Sequence, residues 1–282
     1  MFIKRVPTSV FLIFCAIWFV FLSPSPVFLI VCMVFVFAAM CEFYRMMDKR
    51  GFAPLLFYGS YAGLIILSVA FINARFPWIR IHGHYQDFTT FIVIFGVFLV
   101  AMSRNSSVRA ISTISSTLFG MFYIAWMFSF VIKIRYLDVQ DGPWHLLFLL
   151  LVTKATDIFA YCYGTAFGTK KLVPDISPAK TVEGAIAGFF GAVAMAIALK
   201  YVFPDKLSMF NKFDVVCLGL LLGFFAQVGD IFESIIKRDA GVKDSGSILP
   251  GMGGVLDLMD SVLITAPIMY FYVNSFIYYG KV

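Results

Sequence analysis

Charge is what this sequence has little of: Asp, Glu, Lys and Arg make up 13% of its 282 residues, about half the share of a typical soluble domain. That scarcity excludes a water-soluble enzyme held by one anchor. Its five cysteines (Cys15, Cys32, Cys41, Cys162 and Cys217) fall in apolar stretches without paired spacing, which speaks against a disulfide framework and a thiolate metal site. Only three histidines are present, His82, His84 and His145, and the expected topology puts them near the outer face, away from the acids. Long alternating apolar and polar segments are missing too, which excludes a membrane barrel. There is no internal repeat and no low-complexity tract.

What the chain does have is apolar surface. Hydrophobic residues reach 61%, with 34 Phe and a mean hydropathy of +0.91. Stretches such as Val10–Leu22, Pro26–Met40 and Phe91–Met102 are apolar on every face, so the expected fold is an all-α polytopic membrane protein, each span needing about 20 residues. Breaks in polarity place nine spans, near 8–22, 26–45, 54–72, 88–103, 108–132, 143–166, 181–203, 213–236 and 254–278. Lys4 and Arg5 precede a first span that lacks a small-residue cleavage pattern, so it reads as a retained helix.

The positive-inside rule orients these spans. A cytoplasmic N-terminus puts Lys4, Arg5, Arg45, Lys49, Arg50, Arg104, Arg109, Lys170, Lys171, Lys180, Lys237, Arg238 and Lys243 on one side, where they outnumber the basic residues of the other. Excess positive charge of +6 then suits anionic lipid headgroups rather than nucleic acid. Trp78, Trp144, Tyr278 and Tyr279 read as interfacial anchors.

Acids are confined to the later spans. Asp157, Glu183, Asp230, Glu233, Asp257 and Asp260 lie in or at the ends of the last four, whereas the first five carry only Glu42, near a helix end. An ionisable group in a span costs at least ~2.5 kcal/mol and marks a functional candidate. Residues 141–282 are therefore expected to form the catalytic region and residues 1–140 a scaffold. Helical spacing groups Asp230, Glu233, Ser234 and Lys237 on one stripe, Lys154 with Asp157 on another, and Asp257, Asp260 and Ser261 on a third. The expected depth is the cytoplasmic part of the bilayer, not the midplane where transporters bind. Carboxylates without histidine suit Mg²⁺, which takes one or two of them plus phosphate oxygens, and the lysines suit the phosphates.

Two loops frame these stripes. The segment from Gly164 to Gly184 carries Lys170, Ser177, Lys180 and Glu183, with Ser177 or Thr181 able to cap a helix beside its lysines. From Lys237 to Gly254 runs a glycine-rich segment whose glycines permit close backbone approach to a ligand. Gly184, Gly188 and Gly191 give small-residue spacing for close helix packing, inside the chain or at a homodimer seam.

These residues resemble the phosphatidate cytidylyltransferases, or CDP-diacylglycerol synthases. The resemblance runs through Ser234, Ile236, Lys237, Arg238, Lys243, Asp244, Gly246, Leu249, Pro250, Gly253, Gly254, Asp257 and Asp260, and through Asp157, Ser177, Pro178, Lys180, Thr181, Glu183 and Gly184. Met252 and Leu258 stand where the family usually has His and Arg. The resemblance implies that CTP and phosphatidate give CDP-diacylglycerol and pyrophosphate with Mg²⁺, with room for a monovalent cation such as K⁺. It implies a bacterial inner membrane with the site facing the cytoplasm. Asp230, Asp257 and Asp260 become the expected metal ligands. Lys237, Arg238 and Lys243 would hold the triphosphate, and Lys170, Lys180 and Ser177 the phosphatidate headgroup or the nucleotide. Asp157, Glu183, Asp244, Gly253 and Gly254 complete the substrate-binding set. Buried acids also suit an ion-coupled transporter, CTP use suits a lipid or polyprenol kinase, and the two departures suit an inactive relative kept as a scaffold.

Overall fold

The computed structural model describes residues 18–76, 85–103, 109–138, 140–247 and 253–278. Eight long helices carry the chain: α1 Ser25–Lys49, α2 Leu56–Arg75, α3 Tyr85–Ser103, α4 Ala110–Arg135, α5 Gly142–Phe167, α6 Val182–Val202, α7 Lys212–Asp239 and α8 Val255–Tyr278. Seven of them are long and apolar enough to cross a membrane, and α3 contains a shorter apolar stretch, Asp87–Ser103. The protein is thus an all-α polytopic membrane protein. Of the expected first span, only a π-helical turn at Trp18–Leu22 falls among the described residues. Its earlier part lies outside them, as do His82, His84, Trp78, Tyr279, Leu249, Pro250 and Met252.

Helix ends follow local chemistry. Pro26 opens α1 in its first turn, where its missing N–H costs nothing. Asn211 and Asp214 form a reciprocal capping box at the start of α7, satisfying two orphan donors. Thr181 Oγ1 accepts from Gly184 N at 3.2 Å and caps α6.

Between α5 and α6 the structure adds what the apolar pattern does not foretell. A two-stranded antiparallel hairpin forms, β1 Lys171–Val173 and β2 Ser177–Thr181, pairing Lys171 with Thr181 and Val173 with Ser177. Packing runs α5 on α6, α6 on α7 and α7 on α8, while α8 also touches α1, α4 and α5. It therefore joins both halves of the chain. Small residues make the closest approaches: a Cβ at Gly188 of α6 would sit 2.7 Å from Thr156 O of α5, so only glycine permits that crossing.

Candidate active site

Helices α5, α7 and α8 and the hairpin bring the acids together in two adjoining groups. In the first, Lys154 Nζ lies 3.2 Å from Asp157 Oδ2 one turn along α5, and Lys180 Nζ on β2 lies 2.8 Å from Asp230 Oδ2 on α7. Buried Asp260 of α8 has Lys154, Asp230 and Asp157 as charged neighbours. Gly229 makes this meeting possible, since a Cβ there would stand 2.9 Å from Asp260 O.

The second group centres on Lys237. Its Nζ contacts Glu233 Oε2 one turn back and lies 2.5 Å from Asp257 Oδ1 on α8. Asp257 Oδ2 accepts from Gly254 N at 2.7 Å, Ser245 N at 2.9 Å and Ser245 Oγ at 2.8 Å. Gly253 holds φ at +90°, a left-handed turn that glycine adopts freely, immediately before α8. Glu233 has both Asp257 and Asp260 as charged neighbours, so it joins the two groups. Asp230 and Asp257 accordingly have different partners: Asp230 sits with Asp157 and Asp260, Asp257 with Glu233.

Other expected residues serve the frame around these groups. Arg238 ties the two loops, its Nε donating to Ile176 O at 3.0 Å and its Nη1 to Val242 O at 3.2 Å. Glu183 accepts from Thr169 N, Thr169 Oγ1 and Lys170 N at 3.1, 2.5 and 3.2 Å, closing the base of the hairpin. Lys170, Lys243 and Asp244 are exposed, and Ser177 and Leu258 are half-buried.

Two residues of the N-terminal half enter the site without having been expected there. Glu42 of α1 accepts from Val255 N, Leu256 N and Ser245 Oγ. Its signal in the sequence is an acid near the end of an otherwise apolar span. Gly246 and Gly254 pass so near this carboxylate that a Cβ on either would overlap it, so the close approach here is to Glu42. Tyr123 stands in a π-helical turn of α4, Met121–Trp126, a feature that often marks functional positions. Its hydroxyl is buried without a hydrogen-bond partner, and its charged neighbours are Glu233, Asp260 and Asp230. Nothing in the sequence distinguishes it from other span tyrosines.

Asp157, Asp230, Glu233, Asp257 and Asp260 face Lys154, Lys180 and Lys237, and Glu42 adjoins them through Ser245, so carboxylates exceed ammonium groups. Several polar atoms stay unused: Glu233 Oε1 and Oε2, Tyr123 Oη and Lys180 Nζ are buried without an aligned hydrogen bond, although Glu233 and Lys180 are in ion pairs. As the side chains stand, no three His, Cys, Asp or Glu among the described residues are placed to hold a metal ion. Mg²⁺ needs fewer, one or two carboxylates with phosphate oxygens, and the oxygen donors present fit it.

The chain is thus a polytopic helical membrane protein with a partly buried carboxylate and lysine site formed between several helices and the hairpin. The family model described as the cytidylyltransferase family matches residues 3–276, and the chain belongs to that family. It is 32% identical over 239 residues to a phosphatidate cytidylyltransferase of Chlamydia pneumoniae, covering 82% of this chain and 77% of that one. With the Bacillus subtilis phosphatidate cytidylyltransferase it shares 32% identity over 216 residues, 76% and 78% of the two chains. The chloroplastic phosphatidate cytidylyltransferase 4 of Arabidopsis thaliana is 33% identical over 262 residues, 85% of this chain and 65% of that one.

Proposed function

We propose that the protein transfers the cytidylyl group of CTP to phosphatidate, giving CDP-diacylglycerol and pyrophosphate. A phosphate oxygen of phosphatidate attacks the α-phosphorus of CTP, a new P–O–P bridge forms, and the bond to the β-phosphate breaks. A phosphate monoester, with a second pKa of about 6, is already largely ionised at neutral pH. The nucleophile therefore needs no side-chain base, and Met252 at the usual His position removes no required proton carrier. What the site must supply is charge neutralisation and position.

The observation that carries this reading is the pairing of Lys180 with Asp230 and of Lys237 with Asp257 and Glu233. Each lysine is a cation kept in place by acids until two anionic reactants arrive. Lys237 would then hold the triphosphate with Lys243, and Lys180 and Ser177 the phosphatidate headgroup. Arg238 and Glu183 hold the two loops in register. Asp230 and Asp260 of the first group, or Asp257 of the second once Lys237 turns to the phosphates, are the carboxylates that would hold Mg²⁺, which when bound offsets the charge gathering on the phosphate oxygens. A two-tailed substrate suits a bacterial inner membrane, and the basic loops beside the site suit a reaction on its cytoplasmic side.

The test is incubation of purified protein with phosphatidate, labelled CTP and Mg²⁺, scoring liponucleotide and pyrophosphate together. Both products support the transferase. Formation of neither rejects the transferase, and labelled CDP without pyrophosphate, formed when a lipid alcohol replaces phosphatidate, identifies a lipid kinase.

A further inference from the structure

We infer that Glu42, in the half of the chain remote from the motif loops, is a positioning residue for Asp257 and Lys237. The inference rests on the function proposed above and adds a residue to its machinery. Glu42 is 3% exposed, and none of the ion pairs among the described residues includes it. Its charge is met by the start of α8: Oε1 accepts from Val255 N at 3.0 Å and Oε2 from Leu256 N at 2.9 Å. These are first-turn N–H groups that the helix itself cannot satisfy, at its positive end.

The same carboxylate reaches the preceding loop. Ser245 Oγ lies 3.0 Å from Glu42 Oε2 and 2.8 Å from Asp257 Oδ2. A hydroxyl has only one proton, which Ser245 shares between the two carboxylate oxygens, so that both are held against one atom. With Ser245 N and Gly254 N also on Oδ2, Asp257 is held by one oxygen and presents the other, Oδ1, to Lys237 at 2.5 Å. Glu42 therefore clamps the loop end at Ser245 against the helix start at Val255. The direction of Asp257 Oδ1 follows from that clamp.

Two variants test it, assayed with CTP, phosphatidate and Mg²⁺ on the full chain in detergent. Glu42→Gln keeps the shape but turns an amide N–H₂ toward a backbone donor. Ser245→Ala cuts the bridge and leaves both bonds from Glu42 to α8. Each should lower kcat about tenfold or more while KM for CTP moves less than about threefold, because orientation rather than binding is lost. The double variant should fall no further than the worse single, as for residues acting through one contact. Wild-type kcat in a folded Glu42→Gln protein, or losses that multiply, overturns the inference. If Glu42→Gln does not fold, Ser245→Ala decides alone: lowered kcat at unchanged Tm upholds the bridge, and wild-type kcat overturns it. A wild-type chain that makes no CDP-diacylglycerol rejects the proposed function instead. The clamp is then judged by Tm, with non-additive shifts of the two variants upholding it and additive shifts overturning it.

Discussion

Lys180 on the hairpin reaches Asp230 on α7 with Nζ 2.8 Å from Oδ2, and the ammonium is buried without an aligned hydrogen bond. A cation so placed is held near its position by charge while its donors stay free for a phosphate. Replacing Lys180 with Ala should lower kcat/KM about 10²-fold, in the range found when one preorganised donor to a developing charge is removed. Lys180→Arg should recover part of the loss. Asp230→Asn is expected to lose as much activity and remain folded, which size-exclusion profiles of the detergent-solubilised protein would verify.

Because lysines occupy the acids expected to hold Mg²⁺, metal binding should depend on nucleotide. Freeing Asp257 requires Lys237 to find other anions, and the triphosphate supplies them. Calorimetric titration with Mg²⁺ alone should give little heat, and the same titration with CTP present should saturate. EDTA should abolish liponucleotide formation, with restoration by added Mg²⁺. Equal Mg²⁺ affinity with and without CTP would mean that the lysine pairs do not guard the carboxylates.

The spans were legible because an apolar run must form its own backbone hydrogen bonds in lipid, so polarity alone places the helices from α1 to α8 within a few residues. Acids stand out in such spans for the same reason, which is why Asp157, Asp230, Asp257 and Asp260 could be named. Polarity says nothing about partners across distant segments. Glu42 and Ser245 are 3.0 Å apart yet lie in opposite halves of the chain, and Tyr123 differs from neighbouring aromatics only in where its hydroxyl ends. The hairpin was missed because β1 is three residues and β2 five, too short for a period of two to register.

Glu183 shows how the hairpin depends on one carboxylate. It gathers Thr169 N, Thr169 Oγ1 and Lys170 N, and Lys180 is carried by the same hairpin. Glu183→Ala should therefore speed tryptic cleavage at Lys170 and Lys171 and raise a substrate KM severalfold, with little change in Tm. Proteolysis followed with and without phosphatidate would check both, since a ligand that engages Lys180 should slow the cleavage.

Glycines on α7 offer a separation of packing from catalysis within one helix. At Gly229 a Cβ would meet Asp260 O at 2.9 Å, Ile264 Cγ1 at 3.1 Å and Ser261 Cα at 3.2 Å, pressing α8 away beside Asp230. At Gly219 a Cβ would meet Val193 Cα at 2.9 Å and Ala196 Cβ at 3.3 Å, on the face toward α6. Overpacking of this kind costs about 1–3 kcal/mol, so Gly229→Ala and Gly219→Ala should lower Tm by similar amounts. Only Gly229→Ala should also reduce kcat per folded molecule, because it alone displaces the backbone of Asp260 relative to Asp230. Equal retention of kcat in both variants would show that the spacing of α7 and α8 at Asp260 does not limit the reaction.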